Sequence, residues 1–306
     1  MAYEAKVVCD SKGPNGIRLV TFECTYPLII HNEVMTHRML SRNTASNRAI
    51  PVERMIEAVM EDPFIPEQWP MNQKGMQADR MIPGNTVMAL PMRQEWLVAR
   101  NGAVTQARQL LDLGVHKQIT NRLLAPWLWT TAILTATHWA NFFNLRCHPA
   151  SQPEMKRLAD MMQLAYYDST PQALEDGEWH APYAEDDMAR KIVPRGPVSE
   201  PPALFTETGY SIMASVGRCA GVSYLRHGER KSGADAVDLA MRLAQAGHWS
   251  PFEHQAQAMP KDRFDWCGNF FGWKQFRKAY AGQENQLIFR PNLAATEGMK
   301  SIVNMS

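Results

Sequence analysis

The 306-residue sequence has little cysteine, and what it has is not paired: Cys9, Cys24, Cys147, Cys219 and Cys267 are odd in number, scattered, and nowhere form Cys-x-x-Cys. That usage excludes a disulfide framework and a structural zinc site in favour of reduced thiols. The nine histidines contain no His-x-x-x-His and no His-Glu-x-x-His, so the helical zinc-hydrolase pattern is missing as well, and no metal is expected. No run of about 18 apolar residues suggests a membrane-spanning helix, and Met1-Ala2-Tyr3-Glu4-Ala5-Lys6 has no signal-peptide core. A cytosolic protein is expected. A net charge of +1 lacks the basic excess that a duplex nucleic acid demands. The implied partner is a small anion, with neither nucleic acid nor membrane involved.

Against those absences stands one dense stretch, Met35 to Arg48, which holds a histidine, three arginines, two serines and two asparagines directly after the apolar Leu28-Ile29-Ile30. Guanidinium forks match phosphate oxygens bidentately, and short hydroxyl and amide side chains add directional contacts. The stretch predicts an anionic ligand with polar edges.

Around it the chain reads coarsely as follows. Residues 17–26 alternate Val20, Phe22 and Cys24 with Thr21, Glu23 and Thr25, the period of a half-buried strand. A Pro- and Met-rich irregular stretch runs to about residue 92 and reads as a functional cover. Ala103, Val104, Ala107, Leu110 and Leu111 mark an amphipathic helix ending near Gly114. From Lys117 to Arg146 the chain is apolar almost all round, predicting a buried hairpin or helix pair in which Asn121, Arg122, Asn141 and Arg146 must find partners. Further amphipathic helices are expected around Met155–Tyr166, Ser211–Tyr224 and Ala236–Ala244, the last stopping at Gly247, and a helix with a basic face between Gly268 and Glu284. Six prolines between 170 and 202 predict an extended connection. The expected organisation is thus a segment 1–169, a linker 170–202, and a segment 203–306 that packs into the same domain.

Three separated blocks carry a family resemblance. His37-Arg38 with Ser41, Asn43, Ser46 and Arg48 resembles the Arg-His-Arg and Ser-x-Arg signature of the flavin-dependent thymidylate synthases. Asn141-Phe142-Phe143-Asn144-Leu145-Arg146, trailed by Gln152 and Glu154, is similar to that family's Asn-Phe-x-x-Leu-Arg block. His248-Trp249-Ser250-Pro251-Phe252-Glu253-His254 resembles its Pro-Phe-Glu-His turn, with Val222-Ser223-Tyr224 upstream. In the family that turn precedes the Arg-His-Arg block, whereas here it follows, which points to a circularly permuted relative of a phage type.

The resemblance implies an α/β (α+β) fold, a mostly antiparallel sheet wrapped by long helices, usually assembled as a homotetramer with sites shared between chains. It implies that Glu33, Ser46, Arg48 and Arg122 bind the nucleotide, Asn121 competing with Arg122 for its position. Arg146 would face the pyrimidine edge as the catalytic residue, favouring the N3-deprotonated base. His37, Arg38, Asn43, Asn141, Ser223, His248 and Ser250 would hold FAD. The implied reaction is dUMP to dTMP, with methylenetetrahydrofolate and NADPH as co-substrates. Thr36, Thr44, Ala49, Glu33 and Ala150 depart from the family pattern. Glu33, where the family has a glutamine, and Thr44, where it has a glutamate, motivate an alternative: methylation or hydroxymethylation of dCMP or dUMP for modified phage DNA. Thr36 and Ala150 motivate another, a non-catalytic nucleotide- or flavin-binding relative. Cys147 is the one cysteine beside a candidate site residue, and it reads as a structural thiol rather than a nucleophile.

Overall fold

The computed structural model describes residues 3–75, 78–184, 207–222 and 232–279. β1 (Glu4–Lys12) and β2 (Arg18–Pro27) form an antiparallel pair, and after a 3-10 turn (Leu28–Ile30) the chain enters α1 (His31–Thr36) and β3 (Ser41–Thr44). α2 (Val52–Glu61), a hairpin of β4 (Gln68–Pro70) and β5 (Met81–Pro83), α3 (Leu90–Asp112) and α4 (Lys117–Thr120) follow. A second 3-10 segment (Asn121–Trp127) leads to β6 (Trp129–Ala136), α5 (Ala140–Arg146), α6 (Pro153–Asp168), β7 (Gln172–Ala173) and β8 (Trp179–His180). The last described elements are α7 (Glu207–Gly221), α8 (Gly233–Gln245), a 3-10 turn (Ser250–Glu253), β9 (Ala256–Ala258), β10 (Trp266–Cys267), β11 (Phe270–Phe271), β12 (Trp273–Gln275) and α9 (Phe276–Ala279).

Five strands form the central sheet in the order β3-β6-β2-β1-β7, antiparallel except for the short β1–β7 edge. β2 differs from its expected half-buried character, because both of its faces are covered. On one face Phe22, Cys24 and Tyr26, with Leu134 of β6, pack against Trp139, Phe142 and Phe143 of the α5 region and Met155, Leu158 and Met162 of α6. Removing one such side chain, as in Leu134→Ala, costs about 2–5 kcal/mol. The other face carries buried threonines, Thr21, Thr25, Thr131 and Thr135.

That threonine face meets the C-terminal part of the chain. A bulge between Val7 and Cys9 shifts the β1–β2 register, so Cys9 and Ser11 turn away from the apolar core that Val7 faces. They meet His180, whose Nδ1 lies 2.9 Å from Ser11 Oγ and whose Nε2 lies 2.8 Å from Thr21 Oγ1. Thr21 Oγ1 is 2.8 Å from Thr135 Oγ1, and that hydroxyl is 2.8 Å from His254 Nδ1. A chain of side-chain hydrogen bonds therefore fastens the small sheet β12-β9-β8 to the central one.

Several expectations on secondary structure fail for identifiable reasons. The buried hairpin or helix pair expected at 117–146 is instead a central strand flanked by short helices, because with both faces covered Ala132 and Leu134 on one side and Thr131, Ile133 and Thr135 on the other are all buried, and no exposed position marks the strand. The irregular stretch before residue 92 contains α2, whose Val52, Met55, Ile56 and Val59 recur at helical spacing and pack on Val104 and Ala107 of α3. The connection expected from 170 to 202 supplies β7 and β8 before residue 184, and its remainder lies outside the described residues. The piece from Gly268 reads as short strands and a single helical turn, with 280–284 outside the described residues. α7 and α8 cross at Gly217, where a Cβ would fall 1.9 Å from Ala236 O. α8 stops as expected before Gly247, which takes φ +74°.

Candidate active site

β3 pairs with β6 along Ser41–Thr44 and delivers the following loop, residues 45–50, to the mouth of a cleft of about 720 Å³. The loop is built from its backbone: Ala45 N donates to Thr131 O at 3.1 Å, and Ala49 N to Ser46 O at 3.0 Å. Asn121 holds it from below, its Nδ2 donating to Asn47 O at 2.7 Å and Ile50 O at 2.9 Å, while Lys117 Nζ donates to Ala49 O at 2.9 Å. Asn121 is 1% exposed, and its Oδ1 is buried with no hydrogen-bond partner. With the loop carbonyls engaged, Ser46 and Arg48 keep their side chains free at the rim.

Arg42, Arg48 and Arg122 line this cleft together with His31, Asn43, Ser46 and Ser250, and among the described residues no carboxylate lines it. Asn43 ties the cleft to the C-terminal part: its Nδ2 donates to Cys219 O at 2.7 Å, and its Oδ1 accepts from Ser250 Oγ at 3.3 Å. Arg122 is exposed and donates from Nε to Gln118 O at 3.1 Å, leaving the rest of its guanidinium open. Unlike that pair, Arg42 is anchored, donating to the carbonyls of Met35 and His37. Three guanidinium groups with no acid among the described lining residues give this concave surface the chemistry that suits an anion.

A second cluster lies across the Leu28–Thr36 segment. Leu28, His31 and Asn32 face the cleft, whereas Glu33 and the following His37 meet α5. Arg146 donates from Nε to His37 Nε2 at 2.8 Å and from Nη1 to Glu33 Oε2 at 3.2 Å. Burial, then the Arg146 and Arg42 charges, pushes the His37 imidazole down to about 4, so it is neutral at pH 7 and accepts the Arg146 hydrogen bond. Its ring stands edge-on to Phe142 at 4.9 Å.

The residues singled out from sequence are thus divided. Asn43, Ser46, Arg48, Arg122 and Ser250 share the cleft; Glu33, His37 and Arg146 share the ion-paired cluster; Arg38, Asn141 and His248 are exposed and line neither. Ser223 lies outside the described residues. Sequence reasoning left Arg42, His31 and Asn47 without roles, although the alternation of β3 would have separated Arg42 from the inward Ser41 and Asn43. Asn121 is at the cleft floor and Arg122 at its rim, so both candidates for that position belong to it.

None of the five thiols suits a nucleophile. Burial pushes Cys147 up to about 11, assisted by Asp160, and burial pushes Cys9 up to about 12; Cys24, Cys219 and Cys267 are also raised by burial. Each is protonated at neutral pH.

The thymidylate synthase complementing protein family, Thy1, matches residues 18–172, which include the cleft loop, α1 and Arg146. The chain belongs to this family. A comparison with curated proteins finds no match. Among solved structures, the chain is similar to a UMP/dUMP methylase, PolB from Streptomyces cacaoi, in its complex with 5-Br dUMP: 22% identity over 49% of this chain and 66% of that one, TM-score 0.40. The 5-Br UMP complex of the same methylase gives 19% identity over 54% and 88%, TM-score 0.44. The chain spans just under two thirds of the first of these structures. Among the described residues no helix is long and apolar enough to cross a membrane.

Proposed function

We propose that this Thy1-family protein is a flavin-dependent thymidylate synthase that methylates C5 of dUMP with methylenetetrahydrofolate, FAD and NADPH. The observation that carries the reading is the acid-free cleft in which Ser46, Arg48 and Arg122 stand with donors to spare. Arg48 and Ser46 take the 5′-phosphate, one as a fork and the other as a hydroxyl, and Arg122 adds charge from the opposite wall. The buried, partnerless Oδ1 of Asn121 under the same loop and the free guanidinium groups fit a ligand with phosphates and hydroxyl or amide donors, and FAD, whose pyrophosphate would meet the guanidinium groups and whose ribose and ribityl hydroxyls can donate, meets that description. Bound flavin would supply the hydride. Arg146 acts on the base, where a cation beside an acidic N–H stabilises its conjugate base. Five protonated thiols agree with a route that needs no protein nucleophile.

Arg38, Asn141 and His248 reach neither cluster within one chain, so their proposed flavin contacts require a second copy, and the protein acts as a homo-oligomer. Glu33 favours a second reading. Its carboxylate beside Arg146 offsets the guanidinium charge, which makes the site less able to hold an N3-deprotonated uracil and better able to accept from the exocyclic amine of dCMP. Tritium release from C5 of dUMP and dCMP, assayed side by side on protein checked for a flavin absorbance band, decides. Release from dUMP with flavin bound supports the first reading, and release from dCMP alone supports the second. Nucleotide binding without turnover of either overturns both.

A further inference from the structure

His31 opens α1 and lines the cationic cleft beside Leu28 and Asn32, yet it belongs to none of the motifs that carry the family resemblance. Among the described residues its ring has a single polar partner, Tyr26, whose hydroxyl oxygen lies 3.1 Å from His31 Nδ1. The two rings are nearly parallel, 20° apart, with centroids separated by 6.1 Å.

That contact fixes where the imidazole proton sits. Tyr26 is fully buried, and burial holds its phenol far above the ordinary range, so the O–H proton is present at every working pH. Among the described residues His31 Nδ1 is the one acceptor within its reach. If Nδ1–H donated instead, the phenol proton would be left buried with no acceptor, a state folded proteins seldom leave in place. Tyr26 therefore donates, Nδ1 accepts, and the proton of the neutral ring resides on Nε2. Burial also lowers the His31 imidazole from its ordinary value, which keeps the ring neutral at pH 7. Nε2 lies on the ring edge away from Tyr26 and makes no hydrogen bond among the described residues. The arginines of the cleft supply charge, whereas a neutral N–H supplies direction without adding to the repulsion among three guanidinium groups.

We propose that His31 is a positioning residue for the anion of this cleft: its Nε2–H donates to an oxygen of the phosphate that Ser46, Arg48 and Arg122 bind, and the Tyr26 hydroxyl locks the tautomer that lets it do so. The identity of that anion as the phosphate of dUMP rests on the function proposed above, so the test reads phosphate separately from nucleotide.

Equilibrium dialysis with dUMP and phosphorus NMR titration with inorganic phosphate, on the full-length wild type and on His31→Ala, His31→Gln and Tyr26→Phe, test it, together with nitrogen NMR of the His31 ring. Loss of a donor to a charged acceptor weakens dUMP and phosphate alike by about tenfold in His31→Ala. A glutamine amide can place an N–H near the Nε2 position, so His31→Gln recovers most of that affinity, a rescue that a merely structural role would not give. The nitrogen spectrum of the wild type shows Nε2 protonated and Nδ1 bare. Tyr26→Phe turns this into a mixture of tautomers, with affinity between those of wild type and His31→Ala. A wild-type ring protonated on Nδ1, or dUMP affinity unchanged in His31→Ala, overturns the assignment alone. So does dUMP weakened with phosphate unaffected, which moves the contact off the phosphate. Phosphate binding that depends on His31 in a protein that does not bind dUMP supports the assignment and overturns the nucleotide reading, and failure to bind either overturns both. His31→Gln leaves Tyr26 in place, so the comparison holds if Tyr26→Phe lowers stability.

Discussion

Replacing Glu33 by glutamine isolates what its charge does to Arg146, the arginine proposed to face the base. The carboxylate and the Arg146 guanidinium are 3.2 Å apart, with side-chain exposures of 35% and 24%. Coulomb's law at the permittivity of water gives about 1.3 kcal/mol for unit charges at that separation, and the mobility of two part-exposed side chains lowers the net value to ~1 kcal/mol or less. The stability change on losing the pair is correspondingly small. The Arg146 charge freed for the substrate is worth the same amount, about fivefold in stabilising a deprotonated uracil N3. Glu33→Gln therefore raises kcat/KM for dUMP about fivefold relative to dCMP, because the amide keeps an acceptor for an amine but no longer offsets the guanidinium. The assay is tritium release from both nucleotides under single-substrate and competing conditions, with circular dichroism confirming the fold. A variant that folds and binds nucleotide but leaves the dUMP-to-dCMP ratio unchanged refutes the idea that Glu33 tunes Arg146.

Arg48→Ala weakens dUMP binding by about ten- to a hundredfold through loss of a bidentate charged contact, and differential scanning calorimetry finds no change in melting temperature because Arg48 is exposed and holds no other residue. Burial lowers His180 to about 3 and His254, also facing His180, to about 3, so below the unfolded value near 6.5 the unfolded chain gains protons that the native one refuses. Stability is full above that value and falls as pH drops towards 3, by about 1.4 kcal/mol per pH unit for each imidazole. Imidazole NMR signals for both that stay neutral down to pH 4 confirm this, and a midpoint near 6 contradicts it. Cys147→Ala retains turnover, measured by tritium release, because a thiol held near 11 supplies no thiolate. Asn121→Leu frees two loop carbonyls and destabilises by about 1–3 kcal/mol, read from urea denaturation, with nucleotide affinity falling in parallel.

Sequence made the polar cluster legible because phosphate chemistry needs arginines and hydroxyls at short range, and Ser46 and Arg48 do share a cleft with Asn43. It also located α3, α6, α7 and α8, whose apolar spacing is helical, with Gly114 and Gly247 marking the ends of α3 and α8. It misread β6, since a strand covered on both faces loses its alternation and resembles any buried segment. Proline and methionine around it concealed α2, although its own four apolar positions are regular. What no local pattern contained was the partition of Arg146 from Arg48. That depends on which side of a single short helix each contact falls, a property of α1 in three dimensions rather than of its composition.

The partition has a chemical consequence. Glu33 of α1 and His37 just beyond it take two of the Arg146 donors, so this guanidinium is positioned by the same segment whose Leu28, His31 and Asn32 border the cleft. A nucleotide that draws Arg146 out of its pair, as the proposed function requires, pulls on Glu33 and His37 and so on the segment that also lines the cleft. The proposed role of Arg146 therefore predicts that Glu33→Gln changes dUMP affinity in the cleft, read by equilibrium dialysis, as well as the dUMP-to-dCMP ratio, and an unchanged affinity refutes the coupling.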